Sequence, residues 1–451
     1  MKSVSQIGES LARRETSAEA IVRDAFDRID DPAGEGARTF IRVFRGAQAE
    51  ARAYDAGHAG ARRSPVDGLP ISVKDLFDVA DNVTTAGSTA LRDHDDPAAS
   101  RDATVVARLR AAGAIIIGST NMTEFAFSGV GLNPHYGTPL NPSRRDERRI
   151  PGGSSSGAAV SVTDGMAAAA LGTDTGGSVR IPAALCGLAG FKPTARRIPI
   201  QGVVPLAPSL DSVGPLAPTV ECCAILDSII AGGDGTAPTP RAPGGIRLGV
   251  VGNYVLDGLD KRVAEVFAGA LTALSAAGVA IRDTTVPEFD ELPSIKAHGG
   301  IVAAQAWTWH RNLIARRGDE YDPRVRNRIE RGAAISDDDL AAMVTARAEW
   351  ISRVAPRLSA FDALALPTIA VVAPRISELE STDEYFRWNA RILRNTGIAN
   401  FADCCAVTIP CHRDDGMPVG FMLMAPAMAD RDLLAIAMTV ERILAAGHSQ
   451  A

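Results

Sequence analysis

The stretch Ile150–Thr194, IPGGSSSGAAVSVTDGMAAAALGTDTGGSVRIPAALCGLAGFKPT, constrains this chain more than any other. Two small-residue loops, Gly152-Gly153-Ser154-Ser155-Ser156-Gly157 and Gly172-Thr173-Asp174-Thr175-Gly176-Gly177-Ser178, bracket one apolar segment. Glycine reaches backbone conformations that other residues resist, so such loops let amide N–H groups come close to a ligand and point at it. Ala, Val and Met dominate the segment between them, which predicts a helix from about Gly157 to Leu171 with Ser154 or Ser155 as its cap.

Elsewhere the spacing of apolar residues alternates between helical and strand-like. Ser17 caps a helix carrying Ala20, Ile21, Ala25, Phe26 and Ile29, and Ala47 to Ala61 is Ala-rich and helical, ending near Gly57 or Gly60. Leu69–Phe77 begins as a strand after a turn at Asp67-Gly68, Val105–Ala112 reads as a helix, and Gly113–Gly118 as a buried parallel strand. Helix followed by strand in this rhythm marks an α/β fold. Leu206–Pro215 reads as loop and Val220–Ile230 as helix, and Ala231–Pro240, rich in Gly and Pro, is the best linker candidate. Further strands are predicted at Ile246–Val251, Val279–Thr284, Asp362–Thr368 and Val419–Met424. Further helices are predicted at Lys261–Ala277, Ala297–Arg316, Asp337–Leu358 and Arg431–Leu444. The second half looks like more sheet and cover for the same core, so residues 1–451 are expected to form one large domain.

A chain of 451 residues, 46% of them hydrophobic, can bury a large core. Its net charge of -6 and the lack of a long basic run argue against a nucleic-acid partner. Six cysteines, two adjacent pairs and two singles, do not resemble a disulfide framework, and Cys404, Cys405, Cys411 and His412 lack the C-x-x-C spacing of a metal site. No metal or cofactor is expected. The first residues lack the apolar core of a signal peptide, and no run supplies the ~18 apolar residues of a membrane span. The expectation is a cytoplasmic protein away from membranes.

Chemistry concentrates at three places. Thr175, Gly176, Gly177 and Ser178 could curl four consecutive amides into a nest for a developing oxyanion. Ser154 opens the other Gly-Ser loop. Lys74 sits in a run of Leu, Ile, Val and Phe, where desolvation lowers a lysine's pKa and leaves a neutral amine able to take a proton from a serine. Each piece alone has an ordinary reading as a turn, a cap or a lysine reaching for water; their joint presence points to acyl transfer. Gly153–Gly157 also fits G-x-S-x-G, but that motif needs a strand directly before it, and Asn141–Pro151 is Pro- and Arg-rich loop. His310, near Trp307 and Trp309, is better placed on a helix face than as a ligand.

From about Gly68 to Pro218 the chain resembles the amidase signature family of Ser-Ser-Lys amide hydrolases. GGSSSG, GTDTGGSVR, PA, CG and GFKPT stand at the family's spacing, and LALPT, VTIPC and PVGFMLMAP continue the likeness through the second half. The resemblance implies a mixed central sheet covered by helices on both faces, with a signature core at 65–220 and the rest of the sheet, its helical cover and the pocket segments at 221–451. It implies Lys74 as base, Ser154 as a bridging serine held through a cis peptide, Ser178 as the acyl-forming nucleophile, and the amides of Thr175, Gly176 and Gly177, beside that of Ser178, as the oxyanion hole. Asp174 and Arg180 are expected to brace the loop, although the guanidinium of Arg180 could instead hold a substrate carboxylate. Asn121, Glu124 and Phe125 in NMTEFAF resemble the family's site wall.

The wording around GGSSSGAAVSV is closest to the carboxybiuret-hydrolase and malonamidase-like branch, which implies hydrolysis of a small amide or ureide without a cofactor. The alternatives are the glutaminase-type component of a tRNA-dependent amidotransferase, working with a partner subunit, and a non-catalytic member of the fold. The family's glutaminase-type members usually read GGSSGGS, from which Ser156-Gly157-Ala158 departs. A homodimer is the expectation from frequency among soluble enzymes. The substrate pocket is expected from both halves of the chain, including Ala297–Arg316 and Ile369–Asn400.

Overall fold

Short apolar runs with both faces buried become strands in the computed structural model, which describes residues 1–57, 62–91, 97–295, 300–412 and 416–446. Among the described residues there are eleven: β1 (Phe40–Val43), β2 (Pro70–Lys74), β3 (Ile115–Thr120), β4 (Ala169–Thr173), β5 (Ala189–Lys192), β6 (Val213–Ala217), β7 (Arg247–Val251), β8 (Ala280–Thr284), β9 (Ala363–Pro367), β10 (Cys405–Pro410) and β11 (Gly420–Ala425). They form one sheet in the order β1-β3-β2-β4-β6-β5-β10-β11-β9-β7-β8. β2 runs parallel to β3 and β4, and β7 parallel to β8 and β9, while the centre from β4 through β6, β5, β10 and β11 to β9 is antiparallel. The molecule is thus one α/β domain built on a mixed sheet, as the resemblance implied.

Alternate residues of the central strands feed two different cores. Ile71 and Val73 of β2, Leu171 of β4, Val407 of β10 and Phe421 and Leu423 of β11 join the cluster beneath the helices Thr104–Ala111, Val220–Ile230, Lys261–Ala276 and Asp430–Ala446. Ala406, Met422 and Met424 point the other way, against the helices Asp337–Ser359 and Thr382–Phe401. Burial on both faces removes the apolar–polar alternation of a half-exposed strand, which is why these runs read as continuously apolar. Cys404 and Cys405 illustrate the same geometry: they fall into opposite cores, and all six cysteines are buried with free thiols.

Several expectations are corrected. The helix after the first Gly-Ser loop spans only Ser156–Thr163, and Ala169–Thr173, predicted as its second half, is β4. Gly165 breaks the helix in the left-handed region at φ 70°, and Met166 N–H bonds back to Ser161 O. Residues as small as Ala have no period of their own when every side is buried, so pattern could not separate the two elements. Part of the loop expected at Leu206–Pro215 is β6, which carries Gly214 and Pro215 yet pairs with β4 and β5. Ala231–Pro240 does not divide the architecture either, since Ala406–Thr408 of β10 pair with Gly190–Lys192 of β5 and join both halves in one sheet. The other predicted strands and helices stand within a few residues of their expected ends; parts of Ala47–Ala61 and Ala297–Arg316 lie outside the described residues. No helix among the described residues is long and apolar enough to cross a membrane.

One close approach locks the site region to the sheet edge. A Cβ at Gly157 would stand 2.3 Å from Thr39 O and 2.7 Å from Asn121 N, so the helix Ser156–Thr163 can meet the end of β3 only through glycine. Gly157→Ala is expected to destabilise the chain by roughly 1–3 kcal/mol through forced separation of packed backbone. Urea unfolding measures it, and an unchanged midpoint with an unchanged slope would show that no such constraint exists.

Candidate active site

β2, β4 and the two Gly-Ser loops converge beside the cavity. Lys74 ends β2 with no solvent exposure, its Nζ lying 2.7 Å from Ser154 Oγ and 2.9 Å from Thr173 Oγ1. Burial pushes its pKa down to about 7 against the opposing pull of the Asp174 and Asp211 carboxylates. At that value a large fraction of the amine is neutral near pH 7, donating to Thr173 and accepting the hydroxyl proton of Ser154. The Gly153–Ser154 peptide bond is cis. Ser155 N–H donates to Ser178 O at 3.3 Å, which ties the first loop to the second.

The second loop leaves β4 through Asp174, whose buried carboxylate receives five hydrogen bonds. Oδ2 accepts from Val179 N, Arg180 N and Arg180 Nε at 3.1, 3.3 and 3.0 Å, and Oδ1 accepts from Arg180 Nη2 at 2.8 Å and Asn400 Nδ2 at 2.9 Å. Burial alone would raise the Asp174 pKa, but the Arg180 guanidinium more than offsets it and holds the group at about 2.

Between Asp174 and this bracing, the loop's acceptor groups are occupied. Thr396 Oγ1 donates to Gly176 O at 2.7 Å and Ile181 N to Gly177 O at 2.7 Å. Thr175 Oγ1 donates at 2.6 Å to Asp211, which also accepts the amides of Leu206 and Ala207. The amides of Thr175, Gly176, Gly177 and Ser178, by contrast, donate to no acceptor among the described residues. Unpaired donors in a row around a serine are what a developing oxyanion needs. Gly177 is required in its place, at φ 137° with a Cβ position only 2.2 Å from Thr396 Oγ1.

Thr175, Gly176 and Ser178 line a cavity of about 620 Å³. Its far walls come from the helix Thr382–Phe401, through residues such as Phe386 and Leu393, and from Gly300–Val302, Arg328 and Arg331. Both segments expected to shape the pocket therefore contribute, as helices rather than loops.

The four residues offered as substrate contacts lie elsewhere. Arg180 is fully buried and spends its guanidinium on Asp174 and Asn400. Asn121 bridges the backbone, donating to Arg38 O and Gly137 O at 2.8 Å and accepting from Met122 N. Glu124 accepts from Ser88 Oγ, the His135 ring and Asp322 N, and Phe125 packs its ring against His310 and Tyr321. Positive φ at Phe125 and Ala126 turns the chain, so that Phe127 and Ser128 reach the cavity instead. Thr173, Asp211, Thr396 and Asn400 were missed. The first two lie inside or near the Gly-Ser motifs and could have been found; Thr396 and Asn400 carry no local signal, because the helix that bears them meets the loop only in three dimensions.

A protein-family model described as Amidase matches residues 20–434. The 2-amino-5-chloromuconic acid deaminase of Comamonas testosteroni is 37% identical over 86% of this chain and 84% of its own. The glutaminase-type component of the glutamyl-tRNA(Gln) amidotransferase of Halobacterium salinarum is 34% identical over 85% of this chain and 97% of its own. The crystal structure of an amidase superposes with a TM-score of 0.87 at 28% identity, over 98% of this chain and 99% of that one.

If Arg180 braces the loop, Arg180→Leu leaves Asp174 as an uncompensated buried charge and should cost about 3–5 kcal/mol of stability. Chemical denaturation is the check. A variant of undiminished stability whose only defect is a raised KM would assign Arg180 to the substrate instead.

Proposed function

The chain belongs to the amidase family and is an amide hydrolase, and we propose that it cleaves the C–N bond of a small amide or ureide through an acyl-enzyme on Ser178. The observation that carries the reading is the buried contact of 2.7 Å between Lys74 Nζ and Ser154 Oγ, with the Lys74 pKa held near 7 beside a serine ringed by unpaired amides.

In the first half, Ser178 Oγ attacks the amide carbonyl while its proton passes to Ser154 Oγ, whose own proton moves to neutral Lys74. The carbonyl oxygen becomes an oxyanion facing the amides of Thr175, Gly176, Gly177 and Ser178. The relay then returns the proton to the leaving nitrogen, the C–N bond breaks, and an ester on Ser178 remains. In the second half, water takes the amine's place, gives its proton to the same relay and adds to the ester. Collapse returns the proton to Ser178 and frees the acid. Thr173 holds the Lys74 amine so that its lone pair faces Ser154, and Arg180, Asp174 and Asn400 keep the amides aimed.

A glutaminase working within an amidotransferase is the second reading, supported by the likeness to the Halobacterium salinarum protein. Ammonia release by the chain alone from aliphatic amides and ureides supports the first reading. Silence relieved only by charged tRNA together with a partner subunit supports the second. Ser178→Ala should lower turnover by roughly 10³-fold or more while the fold persists; a folded variant with near-normal turnover would sink the Ser178 assignment.

The pH profile tests the base. Lys74 works as the neutral amine, so kcat/KM should fall about tenfold per unit as pH drops below the Lys74 pKa and level off above it, with the bend near 7. A profile flat from pH 5 to 9 would remove Lys74 from the relay.

A further inference from the structure

The cavity beside Ser178 is lopsided in charge. Among its described lining residues are three arginines, Arg328, Arg331 and Arg394, and no aspartate or glutamate. The three differ in how their N–H groups are used. Arg394 is a strut: Nε, Nη1 and Nη2 donate to Asn395 Oδ1, Asp257 O and Val255 O at 3.0, 2.5 and 3.1 Å.

Arg328 makes one hydrogen bond, from Nη1 to Phe127 O at 2.7 Å, and its guanidinium lies over the Phe127 ring at 4.4 Å. Arg331 makes one long bond to Asn327 Oδ1 at 3.4 Å and lies over the Phe386 ring at 5.4 Å. Neither is in an ion pair with a described residue. A guanidinium has five N–H donors, so most of theirs are unspent.

Arg328 stands on the helix Pro323–Glu330 and Arg331 follows it three residues later, on the same face. Two cations on one face repel mildly, and the neighbouring carboxylates do not relieve them: Glu330 pairs with Arg326 at 2.7 Å, and Asp322 accepts from Arg324 N. Burial lowers the Arg328 pKa to about 10, which leaves it charged at neutral pH. A half-buried guanidinium stacked on an aromatic wall, with open donors and no carboxylate partner, is matched by a planar anion that takes two parallel N–H bonds.

We propose that this cavity takes an amide whose acyl chain carries a free carboxylate, that Arg328 holds that carboxylate, and that Arg331 adds a second positive charge beside it. The proposal rests on the amidohydrolase reading of Ser178 for which end of the substrate reacts, and names the other end. It also sets a limit. An α-ammonium group would need a carboxylate or several free carbonyl oxygens, and the lining offers neither. Asn389 Oδ1 already accepts from Ser128 Oγ and Gly129 N, and Asn400 Oδ1 from Arg180. An acid amide without an amino group is therefore preferred over glutamine.

The experiment is calorimetric titration of the full chain carrying Ser178→Ala, so that binding is read apart from turnover. Malonamate, succinamate and glutaramate are each compared with the amide in which a methyl replaces the carboxylate, namely propionamide, butyramide and valeramide, and glutamine is added. At least one acid should bind more tightly than its neutral partner and than glutamine. Arg328→Gln in the same background should remove that preference, by roughly 30-fold or more, with the neutral amides unaffected. Arg328→Lys, which keeps the charge and loses the fork, should fall between, and Arg331→Gln should weaken the acids less. Overall folding of each variant is followed by thermal unfolding. Acids that bind no better than their neutral partners, glutamine bound best, or a preference that survives Arg328→Gln would overturn the proposal. Turnover persisting in Ser178→Ala would instead strike at the catalytic reading and leave the carboxylate result standing.

Discussion

The buried ion pair of Asp174 and Arg180 is the interaction on which the site depends. Two opposite charges with no solvent exposure are stable together only when their remaining hydrogen-bonding groups are also satisfied. Asn400 provides that, donating to Asp174 through its side-chain amide nitrogen and accepting from Arg180 through its oxygen. The pair therefore fixes three elements at once: the exit of β4, the start of the helix Arg180–Cys186, and the distant helix Thr382–Phe401. The loop between them has its carbonyls tied down from outside and its amides left open. An array of donors held in this way needs no rearrangement when charge develops in front of it.

Lys74 shows how burial converts an ordinary side chain into a base. Asp174 and Asp211 favour the ammonium, yet loss of hydration outweighs them and brings the pKa to about 7. The same carboxylates are kept busy elsewhere, Asp174 with Arg180 and Asp211 with Thr175 and two backbone amides, so neither forms a direct bridge to the lysine. Had either done so, the ammonium would be held and its proton-accepting capacity lost. Structural ion pairing and chemical function are thus separated by only a few residues on one loop.

The sequence was legible where function is carried by local backbone. Ser154, Ser178 and the Gly-rich turns lie in stretches whose composition has few other uses, and Lys74 stood out because its neighbours are apolar. It was less legible where small residues are buried on every side: Ala167–Leu171 fits a helix or a strand equally well, and only the gap between β2 and β6 makes Ala169–Thr173 a strand. Asn121, Glu124 and Phe125 were sought in the cavity because they sit in a site-like motif. Their side chains instead hold the wall together, and the turn at Phe125 and Ala126 hands the cavity to Phe127 and Ser128.

The sequence by itself determined the serines, the lysine and the glycine loops, because short-range conformational freedom and residue type are properties of adjacent residues. The tertiary structure decided everything that depends on distance across the fold. It sets the proton affinity of Lys74, which is a matter of how much water the packed sheet excludes. It sets the role of Arg180, because a guanidinium braces or binds according to whether Asn400 is there to complete it. It also brings Arg328 and Arg331 to the cavity of Ser178, since residues about 150 positions apart in the chain meet only once the helices close over the sheet.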